Sequence, residues 1–327
     1  MLYQGILLHM AGLTNSQIKG LPLEDAPGLL DSHGPIFLFG SPRSGTTFLS
    51  RCVTSAQNVE EFVGILAPAR IMHLIAEYRL SGQDASTLMS CLRDVFWQSF
   101  LKSRFWKSER LSKILKGKMS PWAIRAPYTL DDALFCYKEP FLCLAANEFA
   151  KEFPCALFVH IIRDGRDVAA SLVRRYPNAL SDEVLQCPEL ARSKNSEIGS
   201  FVELDGWTIP WWVEKGSERK FIGASQYSRC LWLWSTLVRH ALALRENVPD
   251  DRYLEIRYED LALNAVHEGE RILEFIGKPL SRVFRKQMKR AYGSSVGTHK
   301  KLLADGVVSE KEIESFAGRA LEQLGYL

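Results

Sequence analysis

A cluster of glycine, hydroxyl and basic residues lies directly after a short apolar run near the start of the chain. The apolar run is residues 36–39, and residues 40–47 spell GSPRSGTT. A glycine-rich turn between a strand and a helix directs several backbone N–H groups at one point, where the helix dipole favours negative charge. We therefore predict a phosphate-binding loop, formed by Arg43, Ser44, Gly45, Thr46 and Thr47.

The residue types in this loop separate it from the nucleotide-binding loop of kinases. Gly40 and Gly45 have the required interval, but Thr46 stands where those loops carry lysine, and the cation lies inside the loop as Arg43. The missing lysine disfavours a small-molecule kinase, and so does the lack of a strand that ends in a clear magnesium-binding aspartate. An ordinary strand-turn-helix corner is the structural alternative, although these residue types rarely cluster for packing alone.

A second basic residue follows another apolar run further along the chain. The run is residues 157–162; Arg163 follows it directly, and Ser171 comes eight positions later. Because one to two helical turns separate the two side chains, a guanidinium and a hydroxyl can reach one phosphate. The alternative is a surface salt-bridge corner in which Arg163 pairs with Asp164 or Asp167. Taken with the first loop, the spacing favours a second phosphate site.

Buried strands and amphipathic helices alternate along the chain and position both loops. This alternation indicates an α/β fold with a mainly parallel central sheet flanked by helices. We expect one domain over residues 1–327, with an inserted stretch of irregular pattern at about 176–226. The predicted strands are residues 36–39, 122–127, 157–162 and 253–256. The predicted helices are 46–56, 60–80 with a break at Pro68, 85–105, 135–153, 167–175, 227–246, 265–276 and one at the C-terminal end.

The composition is that of an ordinary globular chain. Its 327 residues are 46% apolar and 24% charged with a net charge of +3, which gives no reason to expect a nucleic-acid polymer as partner. The seven cysteines form no CxxC pair, so we expect reduced thiols and no metal site. No apolar run could span a membrane, and the first residues lack the pattern of a signal peptide or anchor. We therefore expect a cytoplasmic protein without a membrane partner; the sequence indicates no oligomeric state.

Both basic loops resemble those of sulfotransferases that use PAPS (3′-phosphoadenosine 5′-phosphosulfate). Arginine at position 43 makes the chain most similar to the bacterial and tyrosylprotein branches of that family, and the resemblance extends from residue 35 to about 320. It implies the P-loop-like sulfotransferase fold, with the 5′-phosphosulfate bound by the loop at 40–47. The 3′-phosphate is implied to bind Arg163 and Ser171, joined by Arg175 as in the tyrosylprotein branch.

Two weaker similarities complete the implied cofactor site. Tyr258 stands before an acidic pair, as does a family tyrosine that lies near the adenosine. The turn at 293–301 is similar to the C-terminal turn that closes over the 3′-phosphate. The implied ligands there are Ser295 and Lys300, with Ser294 or Lys301 as alternatives.

The reaction implied by the resemblance is transfer of a sulfonate group from PAPS to an acceptor oxygen or nitrogen, with release of PAP (3′-phosphoadenosine 5′-phosphate) and no metal. Negative charge develops on the leaving oxygen, so Arg43 and the loop amides are the implied stabilisers. Arg125 resembles the lysine that steadies the sulfonate in the tyrosylprotein branch, and Glu61 is the implied base. Capping of the next helix by Glu60 and Glu61 is an equal alternative. The weaker base candidates are His33, His73 and His160.

The inserted stretch at 176–226 is the predicted acceptor lid. Its aromatic and acidic residues are types that bind cations through ring faces and carboxylates, and the alternative is that the tryptophans only pin a loop to the core. We expect a small-molecule acceptor, a cationic secondary metabolite being one candidate. A tyrosylprotein or glycan acceptor and a non-catalytic nucleotide-binding protein are the alternatives. The predicted acceptor-binding residues are Trp207, Trp211, Trp212 and Glu214.

Overall fold

The computed structural model describes residues 34–61, 67–106, 134–194, 201–291 and 296–327. The strands there are β1 (Ile36–Phe39), β2 (Val59–Glu61), β3 (Leu134–Lys138), β4 (Leu157–Ile162), β5 (Phe201–Leu204), β6 (Trp207–Pro210) and β7 (Tyr253–Arg257). The helices are α1 (Thr46–Val53), α2 (Ala67–Leu80), α3 (Ser86–Trp106), α4 (Ala146–Glu152), α5 (Gly165–Arg175), α6 (Asp182–Leu185), α7 (Pro188–Lys194), α8 (Glu218–Ile222), α9 (Gln226–Asn247), α10 (Tyr258–Leu263), α11 (Ala265–Phe275), α12 (Arg282–Met288), α13 (His299–Ala304) and α14 (Glu310–Gln323). Two 3₁₀ helices cover Pro140–Ala145 and Asp250–Arg252.

Five strands form one parallel sheet in the order β2-β3-β1-β4-β7. β1 is central, with Leu38 in register with Lys138 of β3 and Phe39 in register with His160 of β4. Since the strands run in one direction, their carboxyl ends meet at one edge, and the loops that follow β1 and β4 lie side by side. The predicted α/β fold with a mainly parallel sheet is confirmed.

Alternate residues of β1 enter two separate cores, one on each face of the sheet. Phe37 and Phe39 belong to the larger core, and Ile36 and Leu38 to the smaller one. All four side chains are fully buried, which explains why this strand is a continuous apolar run rather than an alternating one. Around Phe37, four phenylalanine rings lie with centroids 5.0–5.9 Å away. This packing gives the loop after β1 a rigid starting point.

The predicted helix over 135–153 is wrong in its first part. The segment forms β3, then a 3₁₀ helix, and only then α4. Both halves are apolar, and periodicity alone cannot tell a buried strand from a buried helix. Pro140 marks the boundary, because its fixed φ and missing N–H suit the first turn of a helix. Glu139 caps that turn by accepting a hydrogen bond from the Phe141 N–H at 3.1 Å.

The segment that starts at Glu60 also differs from its prediction. Glu60 and Glu61 lie in β2, where Glu61 is in register with Cys136 of β3, so capping of the next helix by this pair is wrong. α2 begins at Ala67, and Pro68 lies in its first turn instead of breaking it. The predicted strand at 122–127 lies outside the described residues.

The long periodic segments near the end of the chain fold as predicted. The helices predicted at 227–246 and 265–276 are α9 and α11, with ends shifted by one residue. Gly277 follows α11 with φ of 64°, the left-handed conformation typical of a residue just past a helix end.

The inserted segment contains regular elements that its irregular composition did not predict. α6, α7, the antiparallel hairpin β5-β6 and α8 lie within it. Arg229 of α9, only 1% exposed, ties these elements together through its guanidinium. It donates to the carbonyl oxygens of Leu180 (3.0 Å), Phe221 (2.9 Å) and Ile222 (2.6 Å), and it pairs with Asp182 at 2.5 Å. The segment is therefore packed against α9 as part of the folded body.

Candidate active site

The loop at 40–45 leaves the carboxyl end of β1 and leads directly into α1. Gly45 precedes α1 with φ of 95°, and a Cβ added to it would lie 2.9 Å from Cδ2 of Tyr258. Glycine alone combines this left-handed backbone with so close a neighbour. Because α1 begins at Thr46, the N–H groups of its first turn have no partners within the helix and are available to an anion.

Arg43 links this loop to the loop after β4. Its φ of 74° lies in a region that residues other than glycine rarely use. Its Nε donates to the Ser171 hydroxyl at 3.2 Å, and its carbonyl oxygen accepts from Nη1 of Arg163 at 2.8 Å. Its guanidinium carbon also lies 5.9 Å from the ring centroid of Tyr176. The residues predicted for two phosphate groups therefore form one continuous basic surface.

Arg163 follows the last residue of β4 and is 3% exposed. Its guanidinium carbon lies 4.5 Å from the ring centroid of Tyr258, and Nη2 is 4.0 Å from the Asp167 carboxylate. The indole N–H of Trp234 donates to the Arg163 carbonyl oxygen at 3.1 Å, which fixes the backbone here. A buried guanidinium held against a ring face is preorganised to bind an anion.

A pocket of about 150 Å³ lies where the two loops meet. Its walls combine cations, hydroxyls and backbone amides with two aromatic residues, a mixture that suits a phosphorylated nucleoside. The hydroxyl of Ser44 is buried and has no hydrogen-bond partner within the described part of the chain, so a ligand there would satisfy it. The pocket is lined by Arg43, Gly45, Thr46, Thr47, Arg163, Ser171 and Tyr258 from the predicted set, and by Phe48, Leu261, Ala262 and Ala291.

Arg175 and Lys300, which were also predicted to bind the cofactor, do not line this pocket. Arg175, at the end of α5, is exposed, with its guanidinium 5.8 Å from the ring centroid of Tyr176, and Lys300 is exposed in α13. Glu61 is the last residue of β2, at the same edge of the sheet but two strands from β1. Arg125 and Ser295 lie outside the described residues.

A buried carboxylate beside Arg163 binds the turn before α13, although the sequence indicates it only as an alternative salt-bridge partner. Asp167, 1% exposed, accepts hydrogen bonds from the N–H of Gly297 (2.6 Å), the hydroxyl of Thr298 (3.1 Å), and both the N–H (2.9 Å) and ring Nδ1 (2.8 Å) of His299. Burial by itself would raise the pKa of Asp167, but these hydrogen bonds outweigh it and lower the pKa from 3.8 to about 2. The carboxylate is therefore ionised at neutral pH.

The residues predicted for acceptor binding differ in their surroundings. Trp212 is buried, with its ring edge against Phe221 at 5.8 Å, which favours the packing alternative for this residue. Trp207 packs under the Arg229 guanidinium at 5.2 Å, whereas the half-buried Trp211 ring lies 6.0 Å from the His73 ring. Glu214 forms an ion pair with Arg239 of α9.

The base candidates His73 and His160 differ in the hydrogen bonding of their rings. His160 stacks on Phe39, and its Nδ1 lies 2.8 Å from the Tyr253 hydroxyl, so it is a satisfied core residue. His73 of α2 is equally buried between Phe141 and Trp211, yet neither ring nitrogen has a hydrogen-bond partner among the described residues. Burial lowers the pKa of His73 to about 4, so its ring is neutral at neutral pH. His33 lies outside the described residues.

Neither a metal-binding cluster nor a membrane-spanning helix is found in the described ranges. Those ranges contain no group of three or more His, Cys, Asp or Glu side chains that could hold a metal ion. Within the same ranges, no helix combines the length and apolar character that crossing a membrane requires.

One family model matches the chain, and several known proteins are similar to it at low sequence identity. The model of the Sulfotransferase family matches residues 35–186 and 190–282. Protein-tyrosine sulfotransferase A of Caenorhabditis elegans is 21% identical over 244 residues, which are 75% of this chain and 50% of that protein. The chain thus spans about half the length of this curated relative. The sulfotransferase domain from the curacin biosynthetic pathway has a TM-score of 0.45 and 16% identity, covering 90% of this chain and 98% of its own. A sulfotransferase from Mycobacterium avium has a TM-score of 0.44 and 16% identity, covering 92% and 80%.

The family match includes both basic loops. It begins just before β1, continues through Arg163 and Ser171, and extends past Tyr258 at the start of α10. The matched residues make up more than half of the chain, so the resemblance identified from the sequence is confirmed. The chain belongs to the sulfotransferase family.

Proposed function

We propose that the protein transfers a sulfonate group from PAPS to a hydroxyl or amino group of a small-molecule acceptor. The observation that carries the proposal is the junction of two basic loops on adjacent parallel strands, where Arg43 Nε lies 3.2 Å from the Ser171 hydroxyl. A single phosphate would need only one such loop, whereas PAPS has anionic groups at two positions. Membership of the sulfotransferase family supports the same ligand.

The donor groups of the pocket fit PAPS, which when bound supplies an activated sulfonate on its 5′-phosphate. Arg43, Thr46 and the N–H groups at the start of α1 would hold the phosphosulfate end. Arg163 and Ser171 would hold the 3′-phosphate through a guanidinium fork and a hydroxyl. The Tyr258 ring, which covers both Gly45 and Arg163, would lie beside the nucleoside between these ends.

Arg43 is the residue we propose to stabilise the reaction. Negative charge develops on the leaving phosphate oxygen as its bond to sulfur breaks, and a fixed cation there lowers the barrier. The Arg43 guanidinium is held by the Ser171 hydroxyl and lies near the Tyr176 ring, so little reorganisation is needed. Arg125 keeps its predicted role of steadying the sulfonate.

Two residues are proposed to take the proton that the acceptor loses. Glu61 ends β2 at the edge of the sheet that carries both loops. His73 is neutral because burial lowers its pKa to about 4, and the ring nitrogen that carries no hydrogen can accept a proton beside Trp211. Glu61 remains the first candidate, since the family resemblance implies a glutamate after the helix that follows the phosphate loop.

We propose that the acceptor binds against the inserted segment near Trp211. A cationic acceptor has less support than a neutral one, because Glu214 is paired with Arg239 and Asp205 with Arg219. These carboxylates therefore leave no uncompensated negative charge. A tyrosyl peptide is the second candidate, since the relative from Caenorhabditis elegans is a protein-tyrosine sulfotransferase by name.

Three acceptors with the same phenolic hydroxyl test the proposal: p-cresol, tyramine and an acidic tyrosyl peptide. Each is incubated with PAPS in EDTA, and mass spectrometry measures PAP and the sulfated product. We expect turnover of p-cresol to exceed that of tyramine and of the peptide. Faster turnover of the peptide would indicate a tyrosylprotein acceptor instead of a small molecule. Tight PAP binding without turnover of these or a wider set of phenols, alcohols and amines would favour the non-catalytic alternative.

A further inference from the structure

The turn before α13 is fastened to the first turn of α5 by a single buried side chain. Asp167 accepts four hydrogen bonds from residues 297–299, which are about 130 positions away in the chain. We infer that Asp167 and His299 are positioning residues for the 3′-phosphate of the nucleotide, an inference that rests on the proposed function. They hold the binding groups in place without touching the phosphate themselves.

Asp167 lies between the two side chains proposed to bind that phosphate. It comes four residues after Arg163, which precedes α5, and four residues before Ser171, with which it shares one face of that helix. Its Oδ2, which accepts the Gly297 N–H at 2.6 Å, is also 4.0 Å from Nη2 of Arg163. One carboxylate therefore contacts both the guanidinium and the distant turn. Arg163, Asp167 and Ser171 are each at least 97% buried, with exposures of 3%, 1% and 3%.

The role of His299 follows from the charge state of its partner. An ionised carboxylate can only accept hydrogen bonds, so Nδ1 of His299 must carry the proton in the 2.8 Å contact with Asp167. The backbone N–H of His299 donates to the same oxygen, Oδ1, at 2.9 Å. Since His299 is the first residue of α13, these two bonds set both the position and the direction of that helix relative to α5.

If Asp167 and His299 had a purely structural role, the expected effect of their removal would differ from that of a positioning role. Removing a structural tie would weaken binding of any nucleotide, or only lower the stability of the protein. A positioning role concerns the 3′-phosphate alone, so it should change the preference for PAP over AMP, which differs from PAP only by that phosphate. The ratio of the two dissociation constants therefore isolates the effect.

Calorimetry of the full chain with PAP and with AMP measures this ratio. We expect wild type to prefer PAP, and Asp167→Asn and His299→Ala to reduce the preference by about tenfold or more, the usual effect of losing hydrogen bonds to a charged group. AMP affinity should stay nearly unchanged. In His299→Asn the side-chain amide nitrogen can replace Nδ1 as the donor, so this variant should recover most of the preference.

Glu268→Gln is the matched control. Glu268 is also a buried carboxylate, with its own contacts to Arg271 at 2.6 Å and His267 at 3.3 Å, and it does not line the nucleotide pocket. Its preference for PAP should equal that of wild type. If Asp167→Asn fails to fold, the two His299 variants decide the question.

Three outcomes would overturn the inference. An unchanged preference in folded His299→Ala would do so while leaving the proposed function intact. An equal loss of the preference for PAP in Glu268→Gln would also overturn it, because such a loss would show a general destabilisation of the fold. A wild-type protein that binds PAP no better than AMP would instead overturn the proposed function, and this inference with it.

Discussion

One buried arginine, Arg163, lines the pocket between the two basic loops, and another, Arg229 of α9, holds the inserted segment; the two arginines differ in what surrounds them. Arg229 is 1% exposed, and its guanidinium nitrogens donate to three carbonyl oxygens and one carboxylate of the inserted segment. Arg163 is 3% exposed, yet its side chain lies beside the Tyr258 ring and lines a pocket. Burial of an arginine therefore does not distinguish function from structure. We expect the pocket beside the guanidinium of Arg163 to mark this arginine as a ligand-binding residue.

Arg229→Met should have the largest effect on stability and should sharpen this comparison. It would remove the guanidinium that donates to the carbonyl oxygens of Leu180, Phe221 and Ile222, so we expect a loss of about 3–5 kcal/mol in the free energy of unfolding. Urea denaturation measures this loss. Arg245→Met is the control, since Arg245 makes an exposed ion pair with Glu255 and should cost less than about 1 kcal/mol. Equal stability of the two variants would contradict the structural role of Arg229.

Arg43→Ala should act on the reaction more than on the fold. Because Arg43 is proposed to meet charge that develops only in the transition state, we expect kcat to fall by about 10²–10³-fold. The dissociation constant for PAP should rise much less. Steady-state kinetics and calorimetry on the same preparation separate the two effects. A proportional loss in both would make Arg43 a ground-state ligand instead.

The two neighbouring tryptophans of the inserted segment should respond differently to truncation. Trp212→Ala removes a buried ring that packs on Phe221 and should cost about 3 kcal/mol of stability. Trp211→Ala removes a half-buried ring near His73, so it should raise the KM for the acceptor while changing Tm little. Thermal melts and acceptor kinetics give both readouts. If Trp211→Ala melts as early as Trp212→Ala with an unchanged KM, the segment only packs against the core.

The smallest predicted effect is a pH dependence at Asp167. The folded pKa is about 2 against 3.8 for the unperturbed group, so the unfolded chain takes up a proton first as the pH falls. The stabilisation is fully present above the unfolded pKa and is lost as the pH falls from about 4 towards 2. The stability difference between wild type and Asp167→Asn should shrink over that range in urea melts. A difference that is independent of pH would show that the ionised carboxylate is not responsible.

The two basic loops could be predicted because each is specified by residues that are neighbours in the sequence. Each loop follows a continuous apolar strand. In the first loop, a glycine at position 45 itself indicates a backbone with positive φ, which the structure has there. Strand β3 was missed for the opposite reason. Its five residues are followed by more apolar residues up to Phe153, and no period separates a strand from a helix in such a run.

The contacts of Arg229 and Asp167 could not be predicted because their partners are distant or carry no side-chain signal. Arg229 binds mainly backbone carbonyl oxygens, which every residue possesses. Asp167 is separated from His299 by 132 positions, and an aspartate in the first turn of a helix is ordinary there. The structural roles of Arg229 and Asp167 therefore arise from tertiary contacts, which local sequence patterns do not indicate.

Calorimetry of PAP binding in EDTA tests the central claim most directly. Wild type should bind PAP, and Arg163→Ala should lose about 2–4 kcal/mol of binding free energy, as expected for a charge-assisted contact to phosphate. The matched control is Arg252→Ala. Arg252 likewise donates to backbone carbonyl oxygens, those of Ala156 and Phe153 at 3.0 and 3.2 Å, but it does not line the pocket between the two basic loops. Its affinity for PAP should match that of wild type. An Arg163→Ala variant that binds PAP as tightly as wild type would contradict the account.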